Sequence, residues 1–160
     1  MATHLKRHVV AVGVVVLVGA GAAAAALQVA TMVKTTNNTT LNTKVLVNQT
    51  GRTLYHLTSE KGNKVVCTAS CATIWPPLTV PKGAKLLSGS GVTKSKLGTI
   101  KRPDGRIQVT YAGMTLYRYS GDSKAGQTNG EGIENIWYAI SPSGTLVKKA
   151  SSSGGGYGGR

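Results

Sequence analysis

Residues 44–60, KVLVNQTGRTLYHLTSE, lie without a gap over residues 106–122, RIQVTYAGMTLYRYSGD. Val47 falls on Val109, Gly51 on Gly113, and Thr53-Leu54-Tyr55 on Thr115-Leu116-Tyr117, always 62 residues apart. The same offset carries Glu60 onto Asp122 and Ile74-Trp75 onto Ile136-Trp137. One register kept over such a span marks an internal duplication. Each copy opens as a hairpin, because apolar and polar residues alternate on both sides of a glycine-containing turn, at Gln49 to Gly51 and at Tyr111 to Gly113.

Working outward, Arg102-Pro103-Asp104-Gly105 and Ser141-Pro142-Ser143-Gly144 read as turns, since Pro presets a turn φ and Gly accepts a positive one. Between these turns the pattern predicts strands near 97–101, 106–111, 114–119, 136–140 and 145–149, a five-strand meander in the second half. In the first half, Cys67 to Trp75 suits one or two helical turns stopped by Pro76-Pro77. The expected fold is all-β, a small single domain over 44–150 made of two pseudo-repeated β-meanders, about 44–81 and 106–143. One short helix lies around Cys71 to Trp75, and an N-terminal hydrophobic helix precedes the domain.

That helix is the uncharged run Val9 to Val33 behind Lys6 and Arg7, long enough to cross a bilayer with tilt. Its basic flank keeps the N-terminus cytoplasmic and sends the rest of the chain across the membrane. Residues 1–33 are thus either a cleaved signal peptide, with a small-residue site such as Ala24-Ala25-Ala26, or an uncleaved anchor running to Val33. Residues 34–43, rich in Thr and Asn, read as a linker, and residues 151–160, SSSGGGYGGR, as a flexible tail. The expected location is extracytoplasmic.

The 160 residues hold 19 Lys and Arg against 5 Asp and Glu. A polycation outside the cytoplasm attracts anionic partners in a salt-dependent way. The partners implied are an anionic cell-surface polymer, an anionic membrane surface or an envelope protein. Nucleic acid is disfavoured, because the basic residues are scattered and match no binding motif.

Few residues invite chemistry. Cys67 and Cys71 are the only cysteines. In an oxidising compartment the simplest reading is a structural disulfide, worth about 2 kcal/mol for so small a loop. A redox-active dithiol and a metal thiolate are the alternatives. His56 is the only His beyond the N-terminal flank and reads as an exposed strand residue, so no His-based triad is available. Glu60 and Asp122 could pair as hydrolase acids, although duplication accounts for them more simply. Tyr55, Tyr117, Tyr119, Trp75 and Trp137 are expected either in the core or as an aromatic platform for a flat ligand. Neither a cofactor nor a catalytic residue is implied.

Tyr117-Arg-Tyr119-Ser-Gly-Asp122 resembles the Y-x-[FWY]-x-x-D motif of the bacterial secreted repeat family, also described as predicted lipoproteins. Tyr55-His-Leu57-Thr-Ser-Glu60 departs from it at Leu57 and Glu60. Cys67-x3-Cys71-Ala72-x2-Trp75-Pro76-Pro77-Leu78, Thr99-x-Lys101 to Gly105, and Trp137 to Ser141-Pro142-x-Gly144 are similar to other signatures of the family. Many members carry a lipobox cysteine, which this chain lacks. The resemblance implies an exported protein and assigns no activity. The expected function is therefore a non-enzymatic binding or structural module of the cell envelope, with an extracytoplasmic redox or electron-transfer accessory as the alternative. A site depending on the full motif would lie in the second copy, at Tyr117, Tyr119, Asp122 and Trp137.

Overall fold

The computed structural model describes residues 30–62 and 64–148, so the N-terminal hydrophobic run up to residue 29 and the Gly/Ser tail lie outside the described residues. Among the described residues no helix is long and apolar enough to cross a membrane. The chain is mostly β, with two repeat-like units and one short helix.

The first strand is a departure from expectation. β1, Ala30–Asn38, takes up the last four residues of the hydrophobic run and half of the expected 34–43 linker. It pairs antiparallel with β2, Thr43–Asn48, from Val33↔Asn48 to Asn38↔Thr43. It also pairs parallel with β5, Lys85–Ser88. Threonine and valine favour the pleated backbone, and alternation buries Thr31 and Val33. Asparagine serves the turn: the Asn38 Oδ1 accepts the Leu41 N–H at 2.8 Å, and Asn42 adopts a φ of 48°. A segment that looked too polar to pack is held by a backbone ladder instead.

The two hairpins fold as expected but with different loops. In the first, β2 returns through Gln49 to Gly51 toward β3, Tyr55–Leu57, and Val47 bridges Thr53. In the second, β7, Ile107–Tyr111, returns through only Ala112 and Gly113 into β8, Met114–Thr115, so that Tyr111 faces Met114. Ala112 and Gly113 both have positive φ, 49° and 79°, the requirement of a tight two-residue hairpin. The one-residue difference shifts the pleat, and side chains change face. Val47 accordingly packs with Tyr55 and Trp75, whereas its equivalent Val109 packs in the other core cluster with Leu54 and Leu116.

The expected second-half meander forms only in part. β6, Leu97–Lys101, lies on β7, and β7 also takes β4, Thr79–Val80, from the first copy. β9, Trp137–Ala139, leaves this sheet and pairs with β3 of the first copy, and among the described residues of the expected last strand, 145–148, the one bridge is Ile140↔Leu146. The helix α1, Ala69–Ile74, sits where expected and ends before Pro76-Pro77.

The copies are therefore interlocked by equivalent bonds. The Leu78 N–H donates to Leu116 O, and the N–H of its equivalent Ile140 donates to Leu54 O. Likewise Ser120 N–H reaches Ile74 O, and Thr58 N–H reaches Ile136 O. At the centre Tyr55 and Tyr117, each other's equivalents, exchange both backbone bonds at 2.9 Å. A residue that pairs antiparallel with its own repeat partner places a local two-fold axis between them.

The interlock implies that neither half is a folding unit. Separate fragments 30–82 and 83–148 are expected to give collapsed amide spectra alone and a dispersed, one-to-one complex on mixing. A fragment that folds by itself would contradict this.

Candidate functional site

The residues singled out in the sequence converge around that axis. Trp75 and Trp137 stack face to face, centroids 3.8 Å apart and planes 5° apart. Each meets a tyrosine of its own copy edge-on: Tyr55 against Trp75 at 5.5 Å and Tyr117 against Trp137 at 5.3 Å. Tyr119, half-buried, covers the other side of Trp75 at 4.5 Å. Its equivalent, Leu57, pairs with Trp137 in the β3–β9 ladder and packs in the same core cluster.

The tyrosine hydroxyls bond across the copies. Tyr55 donates to Asp122 Oδ2 at 2.7 Å, and Tyr117 donates to Glu60 Oε1 at 2.8 Å. Each acid then gathers the loop that follows it. Glu60 Oε1 accepts the N–H groups of Val66 and Cys67 at 2.7 and 2.8 Å, and Asp122 Oδ1 accepts that of Asn129, the equivalent of Cys67, at 2.9 Å. Burial raises the Tyr55 hydroxyl far above its ordinary value, with the Asp122 carboxylate adding to the effect. Burial, and then the Glu60 charge, push the Tyr117 hydroxyl up to about 12. Both tyrosines remain neutral donors across the biological pH range.

Tyr55, Tyr117, Asp122, Glu60, Trp75 and Trp137 are all 5% exposed or less. The aromatic groups thus face one another and the acids face tyrosines, so these six side chains of the two copies assemble the core. The two acids do not converge on a cleft. Among the described residues no three His, Cys, Asp or Glu side chains gather as a metal would require.

Cys67 and Cys71 form a disulfide. Cys67 is buried, and its backbone is clamped from both sides: its N–H by Glu60 and its carbonyl by Arg102 Nη2 at 2.6 Å. Arg102, which the sequence places in a turn, is a core residue. It is 2% exposed, and its Nη1 donates to Gln108 Oε1 at 2.5 Å and to the Tyr117 hydroxyl at 3.2 Å. A buried guanidinium needs acceptors for its fixed fork of donors. Gln108, Tyr117, the Cys67 carbonyl and Asp104 supply them.

His56 also departs from expectation. It is 5% exposed, because β3 is short and covered on its second face by β8. Its Nδ1 lies 3.2 Å from Thr115 O and 3.1 Å from Thr115 Oγ1. Burial lowers its pKa, opposed by the Thr115 carbonyl and the Glu60 charge.

Glu131 is a partly buried acid in the loop before β9. Its Oε2 accepts the Ala139 N–H at 2.7 Å, while Oε1 is buried with no partner. In the first copy the equivalents are Pro77, which has no N–H to satisfy, and Ala69. The acid thus appears only in the copy whose strand offers a free donor.

Three outcomes test this arrangement. Tyr117→Phe, which takes a donor from Glu60 and an acceptor from Arg102, is expected to cost about 2 kcal/mol in urea unfolding, whereas Arg118→Ala on the exposed face should stay within about 0.5 kcal/mol. Burial raises the Glu131 carboxyl to about 7 from an ordinary 4.5, so the fold holds this proton more tightly than the unfolded chain does. Its contribution is therefore complete below pH 4.5 and is lost as pH rises through 7. His56, with its lowered pKa, acts in the opposite sense, so the informative quantity is a difference. Stability of the protein relative to Glu131→Gln, followed by denaturant titration, should fall between those pH values; a constant difference would show that Glu131 does not titrate there.

Residues 98–141 match the model of a family described as a secreted repeat of unknown function. The matched stretch is one copy, the one carrying the full Tyr117 to Asp122 motif, and an extracytoplasmic location agrees with the family's description. No match is found among curated proteins or among solved structures.

Proposed function

We propose that the chain is an extracytoplasmic, non-enzymatic binding module that adheres through its positive field to an anionic cell-surface polymer. One observation carries this reading: the fold turns acids inward and leaves bases outside. Of the fifteen basic residues described, eleven are exposed, whereas only Asp104 and Glu134 of the five acids are. Asp104 is further engaged by Arg106 at 2.7 Å and Arg102 at 3.3 Å, and its carboxyl is held well below the usual carboxylate range by the Arg106 side chain. The outer surface is thus more cationic than the composition alone suggests. Such a surface concentrates polyanions with little demand for shape.

The alternative, a redox accessory working through Cys67 and Cys71, draws support only from the partial exposure of Cys71. The clamped backbone of Cys67 favours a structural role for the bond. An anionic membrane surface and an acidic envelope protein fit the same field and are further targets for the same experiment.

The test is binding of the detergent-solubilised full chain to an immobilised wall polyanion. Affinity is expected to fall about tenfold or more between about 0.05 and 0.5 M salt. Salt-independent binding, or none at either concentration, would contradict the proposal.

A further inference from the structure

The interior leaves one side chain with an unused function. Among the described residues Nε2 of His56 has no hydrogen-bond partner. Among the described residues the only fully enclosed side-chain polar atom without a partner is Glu131 Oε1, so Nε2 touches solvent. His56 lines an open depression of about 550 Å³ together with Thr58, Glu60, Lys61, Gly113, Met114 and Leu146, the Glu60 carboxylate there being engaged by four internal donors.

The hydrogen bonds behind His56 fix which nitrogen carries the proton. The Glu60 carboxylate accepts from Val66, Cys67, Tyr117 and Thr115, so the single Thr115 hydroxyl proton is committed to Glu60. Toward His56, Thr115 then offers two acceptors, Oγ1 and the backbone carbonyl. Nδ1 must be the donor, and in the neutral ring Nε2 is a bare lone pair. Burial favours that neutral ring.

The second copy provides an internal comparison. There His56 is replaced by the exposed Arg118, and the corresponding position is filled: a Cβ on Gly51 would lie 2.9 Å from the Ala125 side chain. A Cβ on the equivalent Gly113 would meet nothing within 4 Å. The depression lies between the first copy's His56 and the second copy's Gly113 and Met114, away from where the intact motif had pointed.

We propose that this depression binds a hydroxyl-bearing anion, the repeating unit of the polymer that the cationic surface attracts, with a ligand hydroxyl donating to His56 Nε2 and the anionic group beside Lys61. A lone pair selects an O–H or N–H donor, and the ammonium of Lys61 in the same depression repels cationic donors. What remains is a neutral donor attached to negative charge. This inference rests on the function proposed above and adds the chemistry that the field alone does not read.

The test compares the full chain's affinity for a poly(glycerol phosphate) and a polygalacturonate, both hydroxylated, with that for inorganic polyphosphate, which lacks hydroxyls along its chain. A preference of about fivefold for one or both hydroxylated polymers is expected, the worth of one hydrogen bond, and His56→Ala should remove it while leaving polyphosphate binding unchanged. The polymer that shows the preference identifies the source of the hydroxyl. Equal affinity for all three overturns this proposal and leaves the electrostatic reading standing, whereas no binding to any overturns both. Nitrogen-15 NMR of the unmodified protein gives a check independent of folding in the variant. It should show the Nδ1–H tautomer of His56 with a shift of Nε2 on adding glycerol 3-phosphate or galacturonate, and an Nε2–H tautomer in the free protein would overturn the site.

Discussion

The backbone pair between Tyr55 and Tyr117 is the interaction on which the rest depends. Because the two residues are repeat equivalents, pairing them antiparallel fixes a two-fold relation between copies, and other cross-copy contacts follow from it. Each tyrosine hydroxyl reaches the acid of the opposite copy, each strand end bonds the opposite Leu or Ile, and the two tryptophans meet on the axis. The recurring tyrosine and acid are best understood as the two ends of a crossed brace. Their spacing of five residues lets one copy's tyrosine and the other's acid meet while each acid still caps its own loop.

Symmetry is broken where local chemistry demands it. An extra loop residue in the first hairpin sends Val47 and Val109 to different core clusters. Pro77 needs no acceptor and Ala139 does, so Glu131 occurs in the second copy only. The disulfide and the Arg102 clamp steady the first copy's loop around Cys67, whereas Arg52 bonds the Asp122 carbonyl beside the second copy's acid. These differences leave a depression over His56 and a filled space at the corresponding position.

Much of this was legible from residues alone. The duplication, the two hairpins, the β6, β7 and β9 positions and the short helix follow from alternation, glycine turns and the proline stop, all of which are local signals. The partner of each strand is not a local property, and so β9 was expected beside β8 when it crosses to β3. The polar segment 34–43 was misjudged because burial was taken as the only means of holding a strand, although a ladder between β2 and β5 suffices. Candidate residues were found by their recurrence, but recurrence alone does not tell a platform from a core. Arg102, Thr115 and Glu131 gave no such signal, since their roles depend on what the other copy places beside them.

With the buried part of the motif engaged in assembling the core, the functions proposed fall to the surface: a cationic exterior for attraction and one polar depression for recognition. Both require that the two copies remain locked. Amide hydrogen exchange at Tyr55 and Tyr117 tests that requirement most directly. Their two backbone N–H groups should exchange only through global unfolding, with equal protection that matches the full unfolding free energy from denaturant titration. Exchange of either one at the rate of loop amides, or at a local opening energy well below the global value, would contradict the account.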